Sequence, residues 1–329
     1  MTTESTTGAW RKPMTLDHRQ APLIDAMKRY VAQDIVPFST PGHKRGAGVD
    51  PEFADLVGRQ FLSVDIPVGG GLDDTHFSGE VLIDAERYGA DAWGADRTFY
   101  LVNGSSAGNH GFLLANVGPG DTVIVARDMH KSMMVAMLLA GVNPVYVSPR
   151  LHPELQVGMG IDPSDIADAL DAHPDAKLVA LVSPSYCGVP SDLAGIAAVA
   201  HNRGVPVYVD EAWGPHFAFH PALPPSAMAS GADGAVASTH KILGALTQSA
   251  VLNVQGSLVD PRKIKSALAM VQTTSPSGPI IVSIDACRRQ IALEGEALLS
   301  RAIALASEAR TRLQAIPGVG VLDAAQLGV

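Results

Sequence analysis

The chain has 329 residues, of which 47% are hydrophobic and 17% charged, and its formal net charge is −9. This composition is that of a well-buried globular protein with one large core or two domains, and the acidic balance argues against a nucleic-acid surface. The sequence has no apolar run of transmembrane length, no secretory signal pattern, and two cysteines without disulfide or metal-site spacing, so we expect a cytoplasmic protein that binds no membrane.

The first 80 residues carry weak patterns. Residues 1–20 are polar and predict an irregular arm, whereas the apolar spacing over 22–32 predicts a helix. Residues 62–79 are rich in Gly and Asp and predict a loop. We therefore expect an N-terminal arm and helix over residues 1–50.

From about residue 80, short Val-rich strands alternate with helices. The predicted strands are 97–102, 122–126, 144–147, 178–182, 206–210 and 234–237, and the predicted helices are 81–93, 110–117, 131–140, 163–172 and 192–203. Continuous apolar strands joined by helices are typical of a mostly parallel sheet covered on both faces. The pattern predicts a three-layer α/β/α domain over residues 51–275.

The last part of the chain has a helical pattern. Apolar residues over 280–308 predict a long amphipathic helix, and residues 319–322 predict the first strand of a further unit. We expect residues 276–329 to form this helix and the start of a small C-terminal domain that is largely absent from the chain.

Several polar segments follow predicted strands, where ligands bind in a doubly wound sheet. Residues 103–108 form a Gly/Ser turn whose backbone and hydroxyl groups suit a phosphate, although an ordinary capped helix start fits them equally well. Asp210 ends a strand, so its carboxylate needs a cationic or proton-donating partner such as a protonated pyridine nitrogen, although a turn-forming aspartate is the more common case. His130 follows another strand and could stack on a ligand ring, although a structural histidine is more frequent.

Lys241 lies in Ser238-Thr-His-Lys241, between two apolar runs. Burial would lower its pKa, as a Schiff-base lysine requires, although a lone lysine is more often a surface residue that reaches water. Together the four segments specify a phosphate, an aromatic ring with a basic nitrogen and an aldehyde that an amine can capture. That ligand is pyridoxal 5′-phosphate (PLP).

The chain also resembles the bacterial ornithine/lysine/arginine decarboxylases of the aminotransferase fold, PLP-dependent fold type I, over about residues 20–300. The motifs that carry the resemblance include Thr40-Pro-Gly-His-Lys44, Gly71-Leu-Asp-Asp-Thr-His76, Asn103-Gly-Ser-Ser-Ala-Gly108, His130-Lys-Ser132, Asp210-Glu-Ala-Trp-Gly-Pro-His216, Ser238-Thr-His-Lys241 and Gln272-Thr-Thr-Ser-Pro-Ser277. The fold this implies is the aspartate-aminotransferase-like large domain.

The resemblance implies roles for individual residues. Lys241 would bind the PLP aldehyde, Asp210 would pair with the ring nitrogen and His130 would stack on the ring, while Lys241 or His240 would return a proton to the substrate. Thr274 and Ser275 would contact the cofactor phosphate of a partner subunit. The further cofactor contacts that the resemblance implies are Gly104, Ser105, Ser106, Ala212, Trp213, Ser238 and His240, with no metal site.

The implied reaction is decarboxylation of lysine, ornithine or arginine to the amine and carbon dioxide. The implied assembly is a homodimer or larger homo-oligomer with its active site at the interface. Two alternatives are other PLP chemistry (an aminotransferase, oxidative or lyase reaction) and a PLP-binding subunit that is inactive without a partner. Five acidic residues are candidates for contacting the distal group of the substrate: Asp65, Asp73, Asp74, Glu80 and Glu211.

Overall fold

The computed structural model describes residues 12–33, 35–66 and 80–322. The helices in these ranges are α1 (Pro22–Val31), α2 (Pro51–Val57), α3 (Arg59–Val64), α4 (Glu80–Trp93), α5 (Gly104–Asn116), α6 (Lys131–Ala140), α7 (Pro163–Ala172), α8 (Leu193–His201), α9 (Thr239–Ile242), α10 (Pro261–Val271) and α11 (Gly278–Gln314). The strands are β1 (Arg97–Leu101), β2 (Thr122–Ala126), β3 (Asn143–Val147), β4 (Leu178–Val182), β5 (Val207–Asp210), β6 (Gly234–Ala237) and β7 (Ala250–Val254).

All seven strands form one sheet in the order β1-β7-β6-β5-β4-β2-β3. Strands β2 to β6 pair in parallel, and β7 is antiparallel to both of its neighbours. Every strand except β7 therefore runs in one direction, so the carboxyl ends of these strands lie at the same edge of the sheet. This edge is where the predicted site segments begin.

Helices cover both faces of the sheet. Along β2, Val123 and Val125 pack in a core with α5, α6 and α10, whereas Ile124 packs in a second core with α7 and α8. A third core joins the β1 end of the sheet to α1, α4 and α11. The alternation of side chains between two covered faces confirms the predicted three-layer α/β/α fold.

Helix α5 lies unusually close to the sheet. A Cβ atom added at Gly108 would stand 2.5 Å from Cγ2 of Val236 on β6, which is closer than packed atoms can approach. Only glycine therefore allows this contact between the helix and the strand. The close approach brings the polar residue that follows, Asn109, down onto the sheet.

The N-terminal segment is fixed to α11 from His18 onward. Arg288 is fully buried, forms an ion pair with Asp285, and donates to the backbone oxygens of His18 at 3.2 Å and Gln20 at 2.7 Å. The other oxygen of Asp285 accepts the Leu23 N–H at 3.0 Å. Breaking such a buried pair on one side is strongly destabilising.

The structure differs from the predicted elements in several places. The helix after β1 begins at Gly104 rather than at residue 110, and the antiparallel strand β7 was not predicted at all. The predicted loop over 62–79 begins inside α3, and its residues 67–79 lie outside the described ranges. Residues 319–322, predicted as a strand, have no regular structure.

Within the described ranges, no helix is long and apolar enough to cross a membrane.

Candidate active site

Asp210 is a buried acidic residue at the carboxyl edge of the sheet. It is the last residue of β5 and is 3% exposed. Its two oxygens accept hydrogen bonds from the Asn109 amide at 2.9 Å and from the Ala212 N–H at 3.1 Å. Burial raises the pKa of Asp210, and these donors, with His130 and Lys241, oppose the rise. A cationic N–H donor bound at this edge would stabilise the carboxylate.

Asn109 is a site residue that the sequence did not reveal. It lies on α5 and is fully buried; its Nδ2 donates to Asp210 and, at 2.7 Å, to Ser132 Oγ, while its Oδ1 accepts the hydroxyl of Tyr208 at 2.8 Å. The signal that could have found it is its place one helical turn after Ser105, on the face of α5 that meets the sheet.

His130 follows β2 and precedes α6. Its Nδ1 lies 2.8 Å from Ser132 Oγ and accepts the Ser132 N–H at 3.2 Å. The Asn109–Ser132 contact therefore joins His130 to Asp210 through two side chains. The structure thus brings the two predicted ring partners into one hydrogen-bonded group.

Lys241 lies in α9, directly after β6, and is partly exposed. Its Nζ stands 4.5 Å from the centroid of the Trp213 ring, which is a cation–π distance. Burial lowers the pKa of this amine, and the charge of Asp210 partly opposes that change. A lowered pKa increases the fraction of neutral amine, the form that attacks an aldehyde.

Ala212 and Trp213, two predicted cofactor contacts, lie directly after Asp210 and Glu211 in the chain. Trp213 is 37% exposed, and its ring meets Tyr186 edge to face at 5.9 Å, whereas Ala212 is buried. Tyr186 comes from the loop after β4 and was not predicted. The two aromatic rings therefore form one wall beside the Lys241 amine.

Two buried hydroxyl groups beside Lys241 have unused hydrogen-bonding capacity. Ser238 and Thr239 are fully buried, and neither Oγ of Ser238 nor Oγ1 of Thr239 has a hydrogen-bond partner among the described residues. A buried hydroxyl without a partner is costly. His240 Nδ1 contacts the carbonyl oxygen of Ser249 at 2.7 Å and must donate to it, which leaves Nε2 for a ligand.

The N-terminus of α5 lies at the same edge. Gly104 begins the helix with φ of +71°, a left-handed conformation that favours glycine, and its N–H donates to the Gln248 carbonyl at 2.8 Å. Ser105 and Ser106 occupy the first turn and are partly exposed. The first turn of a helix presents N–H groups that bind anions such as phosphate.

The segment with Thr274 and Ser275 lies next to this helix start in the same chain. The N–H of Thr273 donates to Asn103 Oδ1 at 2.9 Å, and the side chain of Gln272 accepts the Val102 N–H at 3.1 Å. Both Thr274 and Ser275 are exposed. The structure holds one chain, so contact with a partner's cofactor stays a prediction.

The acidic candidates for a substrate's distal group are in different surroundings. Asp65 contacts His43 at 3.2 Å and Glu80 is exposed at the start of α4, while Asp73 and Asp74 lie outside the described residues. Glu211 is buried and accepts the Ala227 N–H at 2.7 Å, and burial raises its pKa from an ordinary 4.5 to about 8. A carboxyl group that is neutral at pH 7 is a poor ligand for a cationic substrate, so Glu211 is a structural acid.

Burial also raises the pKa of Glu86 to about 7, and its hydrogen bond to Tyr100 opposes the rise. Its carboxylate accepts the N–H of Tyr100 on the edge strand β1 at 3.1 Å. Two cavities, of about 260 and 220 Å³, flank it away from the strand-end residues. Side chains that cap an exposed strand edge prevent pairing with another chain, so Glu86 has a structural role.

The strand-end residues fit a ligand with a phosphate, a cationic ring nitrogen and a carbonyl. Ser238, Ser105, Ser106 and the start of α5 offer donors for the phosphate, Asp210 offers an acceptor for a ring N–H, and Lys241 offers the amine. No cluster of metal-ligating side chains occurs within the described part of the chain.

Comparison with known proteins identifies relatives. A family model described as the Orn/Lys/Arg decarboxylase major domain matches residues 21–327. The arginine decarboxylases of Halalkalibacterium halodurans and Bacillus subtilis are 42% and 40% identical, over 91% and 95% of this chain and 61% and 64% of their own lengths. The crystal structure of the Francisella novicida lysine decarboxylase LdcF is 27% identical with a TM-score of 0.80, over 89% of this chain and 43% of that one.

The Glu211→Gln variant tests whether burial raises the pKa of Glu211. The stabilising contribution of Glu211 is complete below its unfolded pKa of 4.5 and is lost as pH rises through about 8. The variant should therefore gain stability relative to the parent chain across this window, by at most about 1.4 kcal/mol per pH unit. Urea unfolding at pH 5, 6.5 and 8 measures the difference, and a difference that does not grow with pH would contradict the assignment.

Proposed function

The chain belongs to the Orn/Lys/Arg decarboxylase family, and on that premise we propose that it catalyses PLP-dependent decarboxylation of a basic amino acid, with arginine as the first substrate to test. The choice of arginine is supported by the printed names of the relatives at 42% and 40% identity. A lysine decarboxylase matches at 27%, which keeps lysine as a candidate. The chain spans about three fifths of the length of the curated relatives it matches.

The observation that carries the proposal is the position of Lys241. A partly buried amine with a lowered pKa stands at the same strand edge as Asp210, a buried carboxylate held by two donors. The Trp213 ring contacts the amine. An amine, an anion and an aromatic surface at one strand edge match the covalent anchor, ring-nitrogen partner and lining of PLP.

When bound, PLP supplies an electron sink for the pair left on the α-carbon as carbon dioxide departs. The protein supplies orientation and charge. Asp210 holds a proton on the ring nitrogen, since a buried carboxylate is stabilised by a cationic N–H. Lys241 accepts or returns a proton at its Nζ, because burial brings its pKa below the ordinary 10.5. Trp213 keeps water from one side of that amine.

The second candidate role is assembly into a homodimer or larger homo-oligomer. The face of α6 that points away from the core exposes Met134, Val135, Leu138 and Leu139. Four adjacent apolar side chains on one surface are typical of a protein interface. The helix begins directly after His130, so a copy docked on this face would lie beside the active site.

A cytoplasmic location is supported by the cysteines. Cys187 is exposed and Cys287 is buried, and both are unpaired. Unpaired cysteines are the rule in a reducing compartment. Cell fractionation measures this location directly.

A product assay tests the reaction. The chain, supplied with PLP, should release carbon dioxide and the corresponding amine from arginine, and more slowly or not at all from lysine and ornithine. Lys241→Ala is the matched negative control and should lower turnover by at least about 1,000-fold, as loss of a covalent nucleophile does. A keto acid without carbon dioxide would replace the decarboxylase proposal by an aminotransferase, and no turnover of any of the three would contradict it.

Sedimentation tests the oligomer. The chain should sediment as a dimer or larger, and Leu138→Glu should shift it toward monomer, because a charge buried in an apolar interface is costly. Leu138 is 75% exposed in one chain, so the variant should still fold. Met270→Glu is the matched control, since Met270 is 73% exposed on α10. A Leu138→Glu variant that remains a dimer would show that the interface lies elsewhere.

A further inference from the structure

We propose that Asn109 is a positioning residue that holds Asp210 and His130, the two proposed partners of the PLP ring, through a single buried amide group. The inference rests on the proposed function, because it concerns how this chain prepares the PLP site. Neither the sequence motifs nor the family match assigns a role to Asn109.

The hydrogen bonds around Asn109 have only one consistent direction. Asp210 can only accept when it is charged, so Nδ2 of Asn109 must face it and donate. Oδ1 then faces Tyr208 and accepts its hydroxyl proton. Burial and the charge of Asp210 raise the pKa of Tyr208 well above 10, which keeps this donor protonated.

The second N–H of the Asn109 amide begins a series of hydrogen bonds that leads to His130. It donates to Ser132 Oγ at 2.7 Å, and the Ser132 hydroxyl is then directed to His130 Nδ1 at 2.8 Å. Nδ1 also accepts the Ser132 N–H, so the network assigns the ring proton of His130 to Nε2. One amide therefore favours the charged form of Asp210 and, through the Ser132 hydroxyl, supports the His130 tautomer that the Ser132 N–H also selects.

Burial makes these contacts strong. Asn109 and Tyr208 are fully buried, Asp210 is 3% exposed and Ser132 is 4% exposed. Hydrogen bonds in such a setting are strengthened by the low local dielectric, and each unpaired group is correspondingly costly. Tyr208 itself is held by stacking on Phe112, with ring centroids 4.1 Å apart. His130 and Lys241 are the other titratable side chains whose charge acts on Asp210.

Asparagine is the residue that this position requires. An aspartate would place a second carboxylate against Asp210, and a serine could not donate to two acceptors. Gly108 allows α5 to approach β6 closely enough for the short asparagine side chain to reach the end of β5. The close contact of Gly108 with β6 and the short side chain of Asn109 are therefore both needed for the hydrogen bond to Asp210.

The test compares two ligands and four variants of the full chain. The ligands are PLP and its deaza analogue, in which C–H replaces the ring nitrogen that Asp210 would contact. The measured quantity is the ratio of the two dissociation constants, obtained by titrating the cofactor-free chain. A variant that only distorts the site weakens the binding of both ligands equally and leaves the ratio of their dissociation constants unchanged.

Asn109→Leu should lower the preference for PLP over the deaza analogue by about 10-fold or more, the usual worth of a buried hydrogen bond to a charged group. Tyr208→Phe keeps Asn109 but removes the hydroxyl that donates to its Oδ1. It should lower the preference for PLP less than Asn109→Leu does. If Asn109→Leu does not fold, Tyr208→Phe still tests the role of Asn109. Ser132→Ala removes only the hydroxyl that links Asn109 to His130. It should weaken the binding of both ligands and keep the ratio of their dissociation constants within about twofold.

Asn253→Leu is the matched control. Asn253 is a buried asparagine on β7 that accepts the Thr98 hydroxyl at 2.7 Å, away from the strand-end residues. It should lower stability in urea and leave the ratio unchanged. A parent chain that binds neither ligand would overturn the proposed function, whereas a parent that prefers PLP and an Asn109→Leu variant that keeps this preference would overturn only the role of Asn109.

Discussion

Burial of the Asp210 carboxylate is the constraint on which the rest of the site depends. An isolated buried anion is too costly to persist, and the structure supplies a side-chain amide and a backbone N–H as donors. The amide can reach Asp210 only because α5 lies against β6 at Gly108. The position of α5 therefore determines whether the Asp210 carboxylate receives its side-chain hydrogen bond.

Strand direction explains why the remaining groups meet Asp210. Strands β2, β5 and β6 run in parallel. Asp210, which ends β5, therefore comes to one edge of the sheet with His130 and Lys241, which follow β2 and β6. The field of Asp210 reaches Lys241 and opposes the pKa drop caused by burial. The aromatic wall of Trp213 and Tyr186 and the buried hydroxyl of Ser238 complete a surface suited to an anionic, aromatic, carbonyl-bearing ligand.

The sequence predicted the parts of this arrangement that depend on local pattern. Val-rich strands and strand-end polar residues were sufficient to place Asp210, His130 and Lys241 together. Asn109 was missed because the predicted turn ended at residue 108 and the predicted helix began at residue 110, which left Asn109 outside both rather than on the buried face of α5. Strand β7 was missed because its apolar run follows an irregular loop, whereas a helix of nine or more residues precedes each of β2, β3, β4 and β5. Glu211 was a candidate for contacting the distal group of the substrate, whereas burial, which a sequence does not display, raises its pKa to about 8.

The most direct measurement is the site of covalent attachment of PLP. The full chain is incubated with PLP, reduced with borohydride, digested and mapped by mass spectrometry. Our account predicts one modified residue, Lys241, and loss of the adduct in Lys241→Ala. Modification of a different lysine at full occupancy, or an unchanged adduct in Lys241→Ala, would contradict the claim that the strand edge around Asp210 is a PLP site.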